Sequence, residues 1–257
     1  MARKKIAAVI PARMAASRFP GKPLAKILDL PMIEHVRRRV SLCEILNQVY
    51  VATCDREIAD VVSGFGGKVI MTAPTHKRCT DRVEEAAKSI DADIIVIVQG
   101  DEPLFTPEAI NRLVRPMFKK KDVHCVNLLS RIENKADFKN INIIKTVLDR
   151  NQRILYFSRA AIPFFRSPGR CDVFRQTGLS AFSKSFLHAF AKLPPTPLEV
   201  TESIDFLRIL EHRYPIIGVI YDGQTVGVDR PGDVDVIKEI LHRDARQKKL
   251  YQIIKNL

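Results

Sequence analysis

The sequence predicts an α/β fold: a mostly parallel sheet covered by helices on both sides, with a small antiparallel extension. Three observations predict it. Apolar runs of strand length alternate with segments of helical period through the first 120 or so residues. These runs are apolar at successive positions, as strands buried on both faces must be. After Val123 the alternation gives way to closely spaced strand-like pieces, the signature of antiparallel neighbours.

Taken in order, Ile6–Ile10 reads as a buried strand, followed by a polar loop through Pro23. Met32, Ile33, Val36 and Val40 then recur on one helical face. Val49–Thr53 reads as a strand, Glu57–Val62 as a helix ending near Gly64, and Lys68–Met71 as a strand. A helix over Asp81–Ser89 and a strand over Ile94–Val98 follow. Thr106, Pro107 and Glu108 supply a capping hydroxyl, a first-turn proline and an early acid, which starts a helix running to about Phe118.

Cys125–Leu129, Ile143–Leu148, Ile154–Phe157 and Leu179–Phe182 are the later strand-like pieces, with Phe164–Arg175 read as a connection. Lys184–Lys192, Leu198–His212 and Pro231–Lys249 read as single helices, and Ile216–Tyr221 as a strand. The chain is expected to form one domain over 1–257, with an excursion around 125–215.

Composition narrows the class. Hydrophobic residues make up 46% and charged residues 28% of the 257 residues, which places the chain among folded globular proteins. The basic start Met1–Lys5 is followed by an apolar run that Pro11 ends, too short for a signal-peptide core. No later run could span a membrane, so a cytoplasmic protein is expected. The five cysteines are scattered and form no C-x-x-C pair; neither a disulfide framework nor a zinc site is indicated. The formal charge of +13 fits either nucleic acid or small polyanionic substrates; no nucleic-acid motif accompanies it.

Loops that follow the carboxyl ends of parallel strands gather along one edge of a sheet, where ligands bind. Four such loops concentrate the polar residues: 11–23, 53–56, 72–82 and 99–103. The first presents Arg13, Arg18 and Lys22 beside Gly21, a set suited to triphosphate oxygens. It is no Walker loop, since G-x-x-x-x-G-K-S/T is absent, and no G-x-G-x-x-G occurs anywhere. The fourth places Asp101 at the end of a buried strand, where a carboxylate can hold Mg²⁺. Asp229 precedes the last helical segment; metal binding and plain helix capping both suit it.

The stretches IPARMAASRFPGKPLAKILDLPMIEHV, VATCDREIADVVSGFGGKVIMTAPTHKRCTDRVEEAA and IVIVQGDEPL, continued by LYFSRAAIPF, LPPTPLE and GVDRPGD, closely resemble the 3-deoxy-manno-octulosonate (Kdo) cytidylyltransferase family, the CMP-Kdo synthetases. The likeness covers nearly the whole chain in order. It implies a doubly wound nucleotidyltransferase (Rossmann-like) fold, a homodimer, and a role in lipopolysaccharide synthesis. The implied reaction is CMP transfer from CTP to the anomeric hydroxyl of an acidic sugar, with Mg²⁺ and release of pyrophosphate.

Matched position by position, the resemblance assigns Ala12, Arg13, Ser17, Lys22, Thr80, Arg82 and Gln99 to the nucleotide. It assigns Asp101 and Asp229 to the metal, and Lys145, Arg159, Gln176, Glu202 and Asp205 to the sugar. Arg13, Lys22, Asp101 and Asp229 carry the expected catalysis. The sequence departs from the pattern at Lys77-Arg78-Cys79, where Ser-Gly is usual, and in Arg175–Ser180, Glu202–Arg208 and Arg230–Asp233. All four departures lie away from the first and fourth loops. An acceptor other than Kdo, either another ulosonic acid or a phosphonate, therefore stays open at this point. A basic nucleic-acid-binding protein on an enzyme fold is the reading from a different class.

Overall fold

The computed structural model describes residues 4–15, 18–167, 171–223 and 226–257. The chain forms two compact units, one of Met1–Asn111 with Gln224–Leu257 and one of Arg112–Gly223.

In the first unit, β1 (Ile6–Ala12) is buried at every position, as its unbroken apolar run requires. A short 3-10 turn at Lys22–Leu24 leads into a hairpin of β2 (Lys26–Ile27) and β3 (Leu30–Pro31). Two-residue strands leave no periodic trace, and the hairpin was not legible in the sequence. Helix α1 (Met32–Ser41) buries the predicted Met32, Ile33, Val36 and Val40. It also buries Glu34, His35, Arg38 and Arg39 on its other faces. The chain continues through β4 (Gln48–Thr53), α2 (Arg56–Gly64), β5 (Lys68–Met71), α3 (Cys79–Lys88) and β6 (Ile94–Val98), close to the predicted bounds.

The strand order in this unit is β6-β1-β4-β5, and every pairing is parallel. Ala7 lies opposite Gln48 on one side and Ile95 on the other. Parallel pairing delivers the ends of all four strands to one edge. Helix α4 (Pro107–Lys119) follows, and the division between the units falls within it.

The second unit holds β7 (Cys125–Arg131), α5 (Lys135–Lys139), β8 (Lys145–Leu148), β9 (Ile154–Ser158) and β10 (Phe174–Ser183). Helices α6 (Lys184–Lys192), α7 (Pro197–Glu202) and α8 (Phe206–Glu211) and strand β11 (Ile217–Ile220) complete it. Strand β10 is antiparallel to β7 and β8, β9 is antiparallel to β8, and β11 runs parallel to β7. This is the antiparallel extension. Strand β10 begins inside the stretch read as a connection, because Phe174 and Arg175 pair with both β7 and β8. The helix expected over Leu198–His212 is two helices. Ser203 adopts φ 54°, a left-handed conformation that ends α7. Phe157, Phe182 and Phe206 interlock edge to face at 5.7–5.9 Å and centre the core here.

Helices α9 (Asp233–Arg243) and α10 (Ala245–Lys255) return the chain to the first unit. They replace the single closing helix expected over Pro231–Lys249. Asp244 is extended, and its carboxylate accepts the Gln247 N–H at 2.8 Å, capping α10. Both helices pack on the hairpin and α1 through Ile237, Leu241, Tyr251 and Ile254. Buried Arg39 donates to the Phe105 carbonyl at 3.2 Å and to Gln247 at 2.8 Å; Gln247 donates to the Leu104 carbonyl at 2.7 Å. The backbone just after the fourth loop is thus anchored from α1 and α10 together.

Candidate active site

The loop after β1 folds back on itself. Gly21 sits at φ 72° and donates its N–H to the Met14 carbonyl at 3.1 Å. The Met14 N–H is in turn held by Asp55 Oδ2 at 2.8 Å, so the loop after β4 clamps the loop after β1. The loop after β6 approaches just as closely: a Cβ on Gly100 would stand 3.1 Å from the Pro11 carbonyl oxygen. A cleft of about 230 Å³ opens between these loops. Its lining includes Ala12, Arg13, Lys22, Gln99 and Asp101, together with His76–Cys79 and Arg82 from the loop after β5 and the start of α3.

Charged groups from separate loops meet here. Lys22 Nζ lies 2.6 Å from Asp101 Oδ2 and also donates to the Val228 carbonyl at 2.8 Å. The Val228 N–H donates to the Asp101 carbonyl at 2.9 Å. This small ladder ties the segment carrying Asp229 to the one carrying Asp101. Asp229 pairs with Arg18 at 3.0 Å. The capping reading of Asp229 is corrected: α9 starts four residues later, at Asp233, with Gly232 at its N-cap. It is the Asp233 carboxylate that receives the Asp229 and Arg230 N–H groups, at 2.7 and 2.8 Å.

Asp101 and Asp229 remain 33% and 46% exposed, so both carboxylates are accessible to a further ligand. Among the described residues, no group of three or more His, Cys, Asp or Glu side chains could enclose a metal ion. Two hard, accessible carboxylates on adjoining segments suit Mg²⁺, which typically takes one or two carboxylates and completes its shell with phosphate and water.

The loop after β5 is fixed at its base. His76 bonds the Glu85 carboxylate, which also accepts the Ala73 N–H at 2.9 Å. These bonds, His76's first, hold the Glu85 carboxyl below its usual range. Arg82 is buried and bonds Thr72 Oγ1, while Thr80 is buried beside it at the start of α3. Gln99 Nε2 donates to Cys79 Sγ at 2.9 Å. Lys77 and Arg78 also line the cleft. Sequence reasoning placed them in the third polar loop and marked them as a departure from pattern, but gave neither a role of its own. Ser17 lies outside the described residues.

Within the second unit the structure gathers Lys145, Arg159 and Glu202. The Lys145 ammonium is buried and donates to the carbonyls of Asn140, Ile143 and Arg159 at 2.6–2.8 Å. Burial first, then Arg159, pulls its pKa down. The Glu202 carboxylate accepts the Arg159 N–H at 2.9 Å and the Ser158 hydroxyl at 2.6 Å. The Arg159 guanidinium donates to the Glu202 and Ile141 carbonyls at 2.8 and 3.1 Å. Lys145 therefore acts on Arg159 through the backbone. Gln176 lies on β10, its N–H bonded to the Ile144 carbonyl at 2.9 Å, and Asp205 opens α8 half-buried.

A parallel sheet whose loop edge brings Arg13, Lys22 and Asp101 around one cleft, with Asp229 on the adjoining segment, suits a nucleotidyltransferase. The family model for cytidylyltransferases matches residues 7–216. The 3-deoxy-manno-octulosonate cytidylyltransferase of Geobacter metallireducens is 43% identical over 93% of this chain and 98% of its own length. That of Syntrophobacter fumaroxidans is 44% identical over 94% and 98%. The solved structure of CMP:2-keto-3-deoxy-manno-octonic acid synthetase complexed with CTP matches with a TM-score of 0.89 at 32% identity, covering 93% of this chain and 99% of that one. The chain belongs to the 3-deoxy-manno-octulosonate cytidylyltransferase family. Among the described residues, no helix is long and apolar enough to cross a membrane.

Proposed function

We propose that this chain transfers CMP from CTP to the anomeric hydroxyl of 3-deoxy-manno-octulosonate and releases pyrophosphate. The observation that carries the reading is the junction of Lys22 with Asp101 and the Val228 carbonyl, which joins the cationic loop to both carboxylate segments. The acceptor hydroxyl oxygen forms a bond to the α-phosphorus, the bond from that phosphorus to the α–β bridging oxygen breaks, and the hydroxyl proton passes to solvent. Arg13 and Lys22, in the cleft, neutralise the β- and γ-phosphates and the charge that builds on the leaving pyrophosphate. Asp101 and Asp229 would hold Mg²⁺, which when bound supplies charge neutralisation at the phosphates and a lowered hydroxyl pKa.

Gln99 and Ala12, in the cleft lining, would serve the nucleoside, together with Arg82 of that lining and Thr80, both buried at the start of α3. The Lys145–Arg159–Glu202 cluster, with Gln176 and Asp205, serves the acidic sugar. The working unit is a homodimer in the cytoplasm. Exposed apolar side chains of the second unit, Ile141, Leu155, Phe164 and Val200 among them, support the dimer.

The test is a pyrophosphate-release assay with CTP, UTP, ATP and GTP against Kdo and a panel of other ulosonic acids and phosphonates. Release with CTP and Kdo, at the highest kcat/KM of the panel, is the expected result. No release with that pair, or a clear preference for another acceptor, would overturn the reading.

A further inference from the structure

Three arginines follow one another on α1. The Glu34 carboxylate accepts from Arg37 at 2.7 Å and from Arg38 at 3.0 Å. Arg39 is fully buried, and both groups it donates to, the Phe105 carbonyl at 3.2 Å and the Gln247 side chain at 2.8 Å, are neutral. Its Nε and Nη2 have no hydrogen-bond partner among the described residues. Burial lowers its pKa from 12.5 to about 10, so the guanidinium is still charged at neutral pH.

A buried charge held only by neutral partners is costly, and an apolar side chain of similar volume serves a core as well or better. What an apolar side chain cannot do is hold a carbonyl in place by donating to it. Here the hold falls on the fourth loop. Arg39 grips the Phe105 carbonyl and the Gln247 oxygen, and Gln247 Nε2 donates to the Leu104 carbonyl at 2.7 Å. Asp244, capping α10 through the Gln247 N–H, fixes the backbone from which Gln247 reaches. At the loop's other end the Asp101 carbonyl accepts the Val228 N–H at 2.9 Å. The segment is pinned on both sides, and from this frame Asp101 Oδ2 meets Lys22 at 2.6 Å.

We propose that Arg39 is a positioning residue for the reaction: with Gln247 it fixes the chain at Leu104 and Phe105 so that the Asp101 carboxylate stands in the cleft where Lys22 meets it. This rests on the reading of Asp101 as a group that acts on the nucleotide. Arg39 is buried and touches no substrate; it works through the backbone alone. A reacting group misplaced by about 1 Å loses up to roughly 100-fold in rate, and a loosened rather than a broken loop loses part of that.

The test is a double-mutant cycle of Arg39→Met and Asp101→Asn, read by kcat and KM for CTP and by amide hydrogen exchange in the protein free of metal and nucleotide. Arg39→Met keeps the length of the side chain and removes its donors. It should lower kcat roughly tenfold, with KM for CTP changing less than about threefold. In the Asp101→Asn background, where no carboxylate charge is left to place, it should lower kcat by less than about twofold more. Exchange should quicken severalfold in a peptide spanning 99–105 and stay as in wild type across β4. Gln247→Leu removes the same anchor from the α10 side and should show the same pattern; it decides the matter if Arg39→Met does not fold. An unchanged kcat, a tenfold loss that recurs in full in Asp101→Asn, or exchange that quickens everywhere alike would overturn the assignment and leave the CTP reading intact. A wild type without CTP turnover, or an Asp101→Asn variant near normal, would remove the functional reading and this assignment with it.

Discussion

At the scale of single residues, Asp101 carries the sharpest expectation. Its carboxylate is held by Lys22 yet partly open to the cleft. Asp101→Asn keeps the shape and an acceptor for Lys22 but removes the charge. Turnover at saturating CTP and Mg²⁺ should fall roughly 100-fold or more, the usual loss when one preorganised charge stabiliser is removed. Near-normal turnover would refute the assignment. His35 governs a different property. It is fully buried, its Nε2 bonds the Ile27 carbonyl at 2.6 Å, and its ring stacks on Tyr251 at 5.5 Å. Burial first, aided by Arg39 and Arg38, lowers its pKa from 6.5 to about 4. The folded state thus refuses a proton that the unfolded chain accepts. Stability is unaffected above pH 6.5 and falls as pH drops from there toward 4, by about 3 kcal/mol in full. Denaturation series between pH 8 and pH 5 should show this slope. In His35→Phe the slope should flatten, although stability at pH 7 is lower because the Ile27 carbonyl loses its donor.

At the scale of elements, the two breaks in the expected helices show where local pattern fails. Leu198–His212 and Pro231–Lys249 keep an apolar stripe throughout, yet Ser203 and Asp244 each end one helix and open the way to another. Neither is a glycine or proline, the plainest stop signals; Asp244 announces only a cap for the helix that follows it. The α7–α8 pair is held by a nearly buried ion pair in which both Arg208–Glu199 bonds are 2.6 Å long. Arg208 also donates to the Leu193 carbonyl at 3.2 Å and stacks on Phe190. Glu199→Ala would strand this guanidinium without its counter-charge, and should cost about 3–5 kcal/mol in chemical denaturation. The KM for CTP, whose proposed site lies in the other unit, should be unchanged. A loss below about 1 kcal/mol would mean that the pair is solvated rather than buried.

At the scale of the whole molecule, the proposed function gives the +13 charge one concrete use. Arg13, Lys22, Lys77, Arg78 and Arg82 line the cleft against a single acidic side chain, Asp101. Attraction for a triphosphate acting partly through solvent is screened by salt, with a Debye length near 10 Å at 0.1 M and about 3 Å at 1 M. KM for CTP should rise severalfold between low salt and about 0.5 M, with kcat changing much less. A KM indifferent to salt would assign the basic surplus to other surfaces. The remaining lysines and arginines are spread along the chain.

What the sequence by itself determined is whatever periodicity and chain order encode locally. The runs at Ile6–Ile10 and Ile94–Val98 are apolar at every position, so both strands had to be central; parallel order then sends their following loops to one edge. Arg13, Lys22, Gln99 and Asp101 were legible for that reason. What only the tertiary structure decided are the pairings between positions far apart: Lys22 with Asp101 and Val228, Gln99 with Cys79, Arg39 with Gln247. Such contacts depend on the distance between loops after folding, to a few tenths of an ångström. No pattern along one strand or helix records that distance.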